Sequence, residues 1–141
     1  MNLSIQILPK EQHKHAQAVY TALGYRIEIK PTDVVIVAQD GDTIVGLVRL
    51  ETDTPVCVLR GMQVLPAYQH QGIGSKLLAK LDEVIAGRET WCIPHGWLTE
   101  FYGKIGFKQV SEEASPEFLQ DRIKLARQKW PQVILMKKEG V

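Results

Sequence analysis

The chain has few cysteines and no long apolar run, which argues against a disulfide-rich protein and against a membrane-spanning one. Its 141 residues include only Cys57 and Cys92, too few for a disulfide framework and without the spacing of metal ligands. No apolar run approaches the ~18 residues of a membrane-spanning helix, and residues 1–15 contain no apolar core of signal-peptide length. We therefore expect a cytoplasmic protein whose cysteines are reduced and buried.

The chain also lacks a charge excess, repeats and low-complexity segments. A net charge of +1 gives no field that would favour nucleic acid or an anionic membrane surface. No pair among the four histidines has metal-ligand spacing, so no metal is expected. The length fits one domain over residues 1–141 with one core.

The hydrophobic pattern predicts eleven elements in the order β-α-β-β-β-α-β-α-β-α-β. A meander of strands is followed by alternating strands and helices, which favours a mixed α/β sheet with helices on both faces. Strands are predicted at 3–8, 34–38, 43–51, 56–65, 90–93, 107–110 and 133–136, and helices at 10–23, 74–85, 99–105 and 116–130.

Several residues mark the ends of these elements. Asp40-Gly41 is a hairpin turn signal, and Gly24 is a typical stop after a helix. Ser115 is the predicted N-cap of the last helix, with Pro116 at its first position and Trp130 on its apolar face. The strand at 133–136 is expected to leave an exposed edge that permits a homodimer.

The segment from Val64 to Leu78 runs from a strand through a loop into a helix. Gly72 and Gly74 lie where that helix begins, and a helix N-terminus presents unpaired N–H groups and partial positive charge. No Asp or Glu occurs between residues 66 and 81, although Lys76 and Lys80 do. This pattern indicates a site for an external anion, or else two glycines that ease a tight turn.

Two linked motifs resemble those of the GNAT superfamily of N-acyltransferases. Gln69-His-Gln-Gly72-Ile-Gly74 resembles its Gln/Arg-x-x-Gly-x-Gly/Ala signature, and Phe101-Tyr-Gly-Lys-Ile-Gly-Phe107 resembles its second signature. The resemblance covers nearly the whole chain. It implies a mostly antiparallel central sheet with a splayed parallel strand pair, and acetyl-coenzyme A as co-substrate.

The resemblance also implies which residues bind the co-substrate. The pantetheine arm would pair with backbone groups around Met62, Gln63 and Val64, and the Val64 N–H would face the thioester carbonyl as an oxyanion-type donor. His95 stands where many family members have an asparagine that contacts pantetheine, so it could make that contact, relay a proton or be an ordinary loop histidine. The remaining predicted cofactor-binding residues are Gln69, His70, Gln71, Gly72, Ile73, Gly74, Ser75 and Lys104.

By the same resemblance, Tyr102 stands where the family keeps its general acid. A phenol has a reference pKa of ~10, so it is protonated at neutral pH and can protonate a departing thiolate. The alternative is an aromatic side chain that packs beside Phe101 and Ile105.

The sequence gives weaker signals for the general base and for the pocket that would bind the acceptor amine. The strand at 56–65 has no carboxylate, so Glu51, Glu28 or a water chain could take the proton from the amine; each glutamate also fits a solvated surface position. Arg60 could bind a substrate carboxylate or form an ion pair with an acid. Trp91 and Trp97 could line an apolar acceptor pocket, with core packing as the alternative.

The sequence thus predicts an N-acetyltransferase that transfers the acetyl group of acetyl-coenzyme A directly to a small primary amine. Two alternatives are an enzyme acting on a protein N-terminus or lysine, and a non-catalytic module that binds coenzyme A. An ATP-binding loop is disfavoured, because Gly74-Ser75-Lys76 reverses the order of the Walker motif.

Overall fold

The computed structural model describes residues 1–141, which form two compact units, residues 1–84 and residues 85–141. The first unit contains four strands in the order β1-β2-β3-β4, and every neighbouring pair is antiparallel. Its elements are β1 (Leu3–Ile7), a 3₁₀ turn (Lys10–Gln12), α1 (His13–Ala22), β2 (Val34–Asp40), β3 (Thr43–Glu51), β4 (Cys57–Val64), a 3₁₀ turn (Pro66–Tyr68) and α2 (Ile73–Ile85, the last residue lying in the second unit).

The hairpin between β2 and β3 follows the predicted turn with a shift of one residue. Asp40 pairs with Thr43, so Gly41 and Asp42 form the connection, and Gly41 has a φ of 60°. A left-handed conformation of this kind favours glycine in tight hairpin loops. Gly24, with a φ of 87°, likewise follows the end of α1 as predicted.

Helices α1 and α2 cover opposite faces of β3. Leu47 belongs to a buried cluster with Ala16 and Tyr20 of α1, whereas a Cβ built on Gly46 would lie 3.1 Å from Leu77 Cδ1 and 3.3 Å from Ile73 Cγ2. Successive residues of a strand point to opposite faces, so the two helices lie on opposite sides of the sheet. Glycine at position 46 lets α2 pack directly on the strand.

The second unit has three antiparallel strands in the order β5-β7-β6. Its elements are β5 (Thr90–Cys92), a 3₁₀ turn (Gly96–Leu98), α3 (Thr99–Gly103), β6 (Lys108–Gln109), a 3₁₀ turn (Glu112–Ala114), α4 (Glu117–Lys129) and β7 (Met136–Lys138).

The prediction for the last strand was wrong in its bounds. Only Met136 of the predicted 133–136 segment belongs to β7, and Val133 forms an isolated bridge with His95. The apolar residues Val133 and Leu135 are buried without belonging to a strand. Because β7 pairs with β5 on one side and β6 on the other, it is not the exposed edge that the sequence suggested.

The start and end of α4 also differ from prediction. Pro116 is the N-cap, its carbonyl accepting from the Leu119 N–H at 3.0 Å, and the Ser115 hydroxyl donates to the Glu112 carbonyl instead of capping the helix. Trp130 follows the helix and is 43% exposed, so it does not extend the buried face of Leu119 and Ile123.

The predicted mixed α/β class with mostly antiparallel strands is confirmed. None of the helices combines the length and hydropathy that crossing a membrane requires. A single domain over residues 1–141 stays a prediction.

Candidate functional site

Strand β4 carries a bulge at Gly61 and Met62. Arg60 pairs with Arg49 and Gln63 pairs with Leu47, so two residues of β4 oppose Val48 alone. Gly61 has a φ of 68°, the left-handed conformation that glycine supplies at the first position of such a bulge. The bulge lies inside the segment from Met62 to Val64 that was predicted to bind the co-substrate.

The end of β4 has a defined direction of hydrogen bonding. The Leu65 N–H donates to the Val45 carbonyl of β3 at 2.8 Å. Since N–H groups alternate in direction along a strand, the Val64 N–H points away from β3. The Val64 carbonyl accepts from Gln69 Nε2 at 3.1 Å, so the first residue of the glycine motif braces the strand.

The loop before α2 has the backbone shape of an anion-binding cradle. His70 and Gly72 have φ values of 64° and 82°, and alternating left-handed residues turn successive N–H groups toward one concavity. A non-glycine residue in this conformation is uncommon and carries local strain. Nothing lies within 4 Å of a Cβ built on Gly72, so the loop is open to solvent on that side.

The first turn of α2 completes the cradle. The Lys76 N–H donates to the Gly72 carbonyl, just before the helix, at 3.2 Å. Because Ile73 and Gly74 begin the helix, their N–H groups have no helical carbonyl one turn earlier that could accept a hydrogen bond. No acidic residue lies in this turn. Ile73 is 1% exposed and anchors the turn in the core, whereas Gln69, His70, Gln71, Gly72 and Ser75 are exposed. The predicted cofactor residues 69–75 therefore lie together in one largely exposed loop and the helix turn that follows it.

Glu51 and Arg60 lie together in an ion-pair network. Lys30 Nζ is 2.8 Å from Glu51 Oε2, and Arg60 Nη1 is 3.6 Å from Glu51 Oε1. Glu51 is 1% exposed, so the solvated surface position considered for it was wrong. Arg60 forms the ion pair that was one of the two interpretations of this residue, and the role of Glu51 as a base stays a prediction.

A second buried pair escaped the sequence analysis. Arg49 Nη1 bonds Asp33 Oδ2 at 2.8 Å, with side chains only 3% and 0% exposed. Arg49 Nη2 and Asp33 Oδ1 are buried without a hydrogen-bond partner. The signal was available, because Arg49 interrupts the apolar run from Ile44 to Leu50, where a charge requires a partner.

A groove of about 470 Å³ lies between α1 and the segment that follows it. Gln17 shapes it, because Nε2 donates to the Ile27 carbonyl at 3.1 Å and Oε1 accepts from the Ile29 N–H at 2.8 Å. Tyr25 lines the groove, and its hydroxyl accepts from Gln63 Nε2 at 2.6 Å. Glu28 also lines the groove and is exposed, as expected for a surface glutamate.

Tyr102 lies on α3 in the second unit and is 4% exposed. Its ring meets Phe101 edge-on at 5.0 Å and Phe107 at 6.1 Å between centroids. The packing expected of an aromatic residue on this helix is therefore present, and the role of the hydroxyl as an acid stays a prediction. Lys104, the C-cap residue after α3, has its ammonium 5.4 Å from the centroid of the Phe101 ring and is exposed.

His95 and Trp97 form an aromatic stack in the second unit. Their ring centroids are 4.4 Å apart with an interplanar angle of 6°. Trp97 is 65% exposed, so core packing was wrong for it, whereas Trp91 is 2% exposed and packed. His95 Nδ1 is buried without a hydrogen-bond partner.

The two cysteines differ in burial, and neither belongs to a group of metal ligands. Burial raises the pKa of the Cys92 thiol, and Cys57 is only partly buried, which corrects its prediction as a core residue. No group of three or more His, Cys, Asp or Glu side chains could hold a metal ion.

Comparison with known proteins identifies a family. The acetyltransferase (GNAT) domain family matches residues 31–109, which is 79 of the chain's 141 residues. The curated proteins gave no match.

Solved structures share the fold at low sequence identity. N-acetylglutamate synthase from Neisseria gonorrhoeae, complexed with coenzyme A and N-acetyl-glutamate, is 17% identical with a TM-score of 0.66; the match covers 99% of this chain and 35% of that one, so this chain spans about a third of the synthase. ElaA from Escherichia coli is 16% identical with a TM-score of 0.69, covering 97% of this chain and 99% of that one.

An acetyltransferase of the GNAT family from Elizabethkingia anophelis, with acetyl-CoA bound, is 16% identical with a TM-score of 0.60, covering 98% of both chains. The family match includes β4, the cradle and α3. With more than half of its length matched, this chain belongs to the GNAT acetyltransferase family.

Proposed function

We propose that this protein transfers the acetyl group of acetyl-CoA to a small primary amine by direct transfer in a ternary complex. The observation that carries the proposal is the cradle of amides at residues 71–75. Its exposed loop residues Gln71 and Gly72, the left-handed backbone of His70 and Gly72, and a first helical turn without an acidic residue suit a diphosphate. The GNAT family assignment and relatives crystallised with coenzyme A or acetyl-CoA support the choice of ligand.

The end of β4 supplies the electrostatic part of the mechanism. The Val64 N–H points away from β3 and would donate to the thioester oxygen as negative charge develops there. Gln69 donates to the Val64 carbonyl and so restrains the next peptide along the strand, that of Val64 and Leu65. In this proposal backbone groups of Met62 and Gln63 pair with the pantetheine arm.

Tyr102 is the proposed general acid. Its hydroxyl would protonate the departing thiolate, and the packing of its ring against Phe107 would hold the hydroxyl in one orientation. His95 and Lys104 remain proposed contacts of coenzyme A.

The groove beside α1 is the proposed acceptor site. Its volume of about 470 Å³ lies within the usual range for small-molecule sites. Glu28 is the carboxylate in that groove and remains the proposed base, directly or through water. Arg60 remains a proposed contact of a substrate carboxylate, and Trp97 remains a proposed lining residue of the acceptor pocket.

The test is release of free thiol from acetyl-CoA in the presence of panels of primary amines and of peptides. The proposal predicts turnover with at least one small amine and binding of acetyl-CoA, but not ATP, by calorimetry. Turnover with peptides alone would replace the small-amine acceptor by a protein. Binding without any turnover would favour a non-catalytic module, and no binding would contradict the proposal.

A cytoplasmic location and a homodimer belong to this proposal as well. The two free cysteines are in keeping with the former. Sedimentation of the purified protein would test the latter.

A further inference from the structure

The hydroxyl of Tyr20 contacts the bulge of β4. It donates to the Gly61 carbonyl at 2.7 Å across 41 residues of sequence, and Tyr20 is 2% exposed. The sequence analysis placed Tyr20 only on the apolar face of α1. A phenylalanine would fill the same apolar space, so packing alone does not account for the hydroxyl.

Gly61 and Tyr20 fit each other closely. A Cβ built on Gly61 would lie 2.7 Å from the Tyr20 hydroxyl oxygen and 3.0 Å from Cζ, and the residue has a φ of 68°. Both the backbone conformation and the approach of the phenol therefore require glycine at this position. A bulged strand whose carbonyl is held by a buried side chain has few ways to relax.

The bonded carbonyl belongs to the peptide that carries the Met62 N–H. All peptide bonds are trans, so this N–H points in the direction opposite to the Gly61 carbonyl. Fixing the carbonyl fixes the plane of the peptide and the direction of its N–H. A hydrogen bond to the carbonyl also polarises the amide and strengthens the N–H as a donor.

We infer that Tyr20 is a positioning residue of the acetyl-transfer site, which orients the Gly61–Met62 peptide so that its N–H meets the pantetheine or thioester of acetyl-CoA. This inference rests on the proposed function. Tyr20 acts through the backbone of β4 and does not touch the reacting atoms.

Two further contacts support the inference. Tyr25 packs on Tyr20 with ring centroids 5.4 Å apart and accepts a hydrogen bond from Gln63, the residue that follows the bulge. Burial raises the pKa of the Tyr20 hydroxyl, with the Arg49 charge acting in the opposite direction, so the hydroxyl stays a donor over the pH range of an assay. Two phenols that contact each other thus bond β4 at the bulge and at the residue after it, Tyr20 through the Gly61 carbonyl and Tyr25 through the Gln63 side chain.

The test compares Tyr20→Phe with Tyr68→Phe. Both lose a hydrogen-bonded hydroxyl in the first unit, but Tyr68 bonds Asp40, away from the bulge. We expect Tyr20→Phe to lower kcat by roughly 10-fold with the Kd for acetyl-CoA changed by less than about 3-fold, since small misplacements of a reacting group lower rate more than binding. Tyr68→Phe should stay within about 2-fold of wild type in both.

A readout independent of turnover is the backbone amide resonance of Met62. In Tyr20→Phe this resonance should move, and its further shift on addition of acetyl-CoA should shrink, while Tyr68→Phe should match wild type. A Tyr20→Phe protein that keeps wild-type kcat and an unmoved Met62 resonance overturns the inference. If the wild type binds acetyl-CoA without turnover, the proposed activity fails and the Met62 resonance alone decides; if it binds none, both fail.

Discussion

At the scale of single residues, Tyr102 has the most direct predicted effect on turnover. Tyr102→Phe keeps the ring that packs against Phe101 and Phe107 and removes only the hydroxyl. We expect kcat to fall by about 10²-fold, the usual contribution of one general acid, with acetyl-CoA affinity nearly unchanged. Steady-state kinetics and calorimetry measure the two quantities.

Tyr68→Phe is the matched control for this variant as well. Turnover by Tyr102→Phe within a few-fold of wild type would mean that Tyr102 is a packing residue and that the proton comes from another group.

The buried pair of Arg49 and Asp33 should govern stability. Asp33→Asn leaves the Arg49 charge uncompensated in the core, which we expect to lower the free energy of unfolding by about 3–5 kcal/mol. The double variant Asp33→Asn/Arg49→Met removes the charge and should recover most of that loss. Urea denaturation followed by circular dichroism tests this, and an Asp33→Asn protein within about 1 kcal/mol of wild type would contradict it.

Residue roles were the least predictable feature of the sequence. Glu51 was interpreted as a solvated glutamate because Lys30, one of its two ion-pair partners, lies 21 residues away along the chain. Trp97 is exposed although large aromatics are usually packed. Pairings over long sequence separations leave no local pattern.

At the scale of elements, the N-terminus of α2 is expected to bind anions. Ser75→Asp places a carboxylate in the first turn, which should stabilise the unliganded protein by about 0.3–1 kcal/mol through the helix dipole. The same charge should repel the diphosphate and raise the Kd for acetyl-CoA by roughly 10-fold or more. Thermal unfolding and calorimetry measure these opposite effects.

Ser75→Asn is the neutral control, since it has nearly the shape of aspartate without its charge. Equal affinities of the Asp and Asn variants for acetyl-CoA would show that the diphosphate does not lie at this helix end.

The bounds of helices and strands with a regular hydrophobic period were predictable from the sequence, whereas bounds that depend on tertiary packing were not. The observed β3 and α2 follow their hydrophobic patterns to within one residue. The segment 133–136 has the composition of a strand, but it makes only isolated backbone contacts, such as the Ile134 N–H to the Pro94 carbonyl, and β7 begins at Met136. Apolar composition predicts burial, whereas strand pairing depends on which backbone lies alongside.

At the scale of the whole molecule, the question is whether residues 1–84 and 85–141 unfold together. The family match spans residues 31–109 and so includes parts of both units, and a single domain stays a prediction. All three tryptophans, Trp91, Trp97 and Trp130, lie in the second unit, so their fluorescence reports on that unit, whereas far-ultraviolet circular dichroism reports on both. A single domain predicts coincident urea transitions by the two probes.

Transitions separated in midpoint would instead show two domains that unfold independently. Addition of acetyl-CoA should raise the midpoint seen by both probes if the protein is one cooperative domain, because the ligand binds only the folded state.

The central claim is that the backbone at residues 71–75 holds the diphosphate of acetyl-CoA. The most direct measurement is a crystal structure of the complex. The account predicts diphosphate oxygens about 3 Å from the amide nitrogens of this loop. A complex with acetyl-CoA well ordered but its diphosphate bound elsewhere would contradict it.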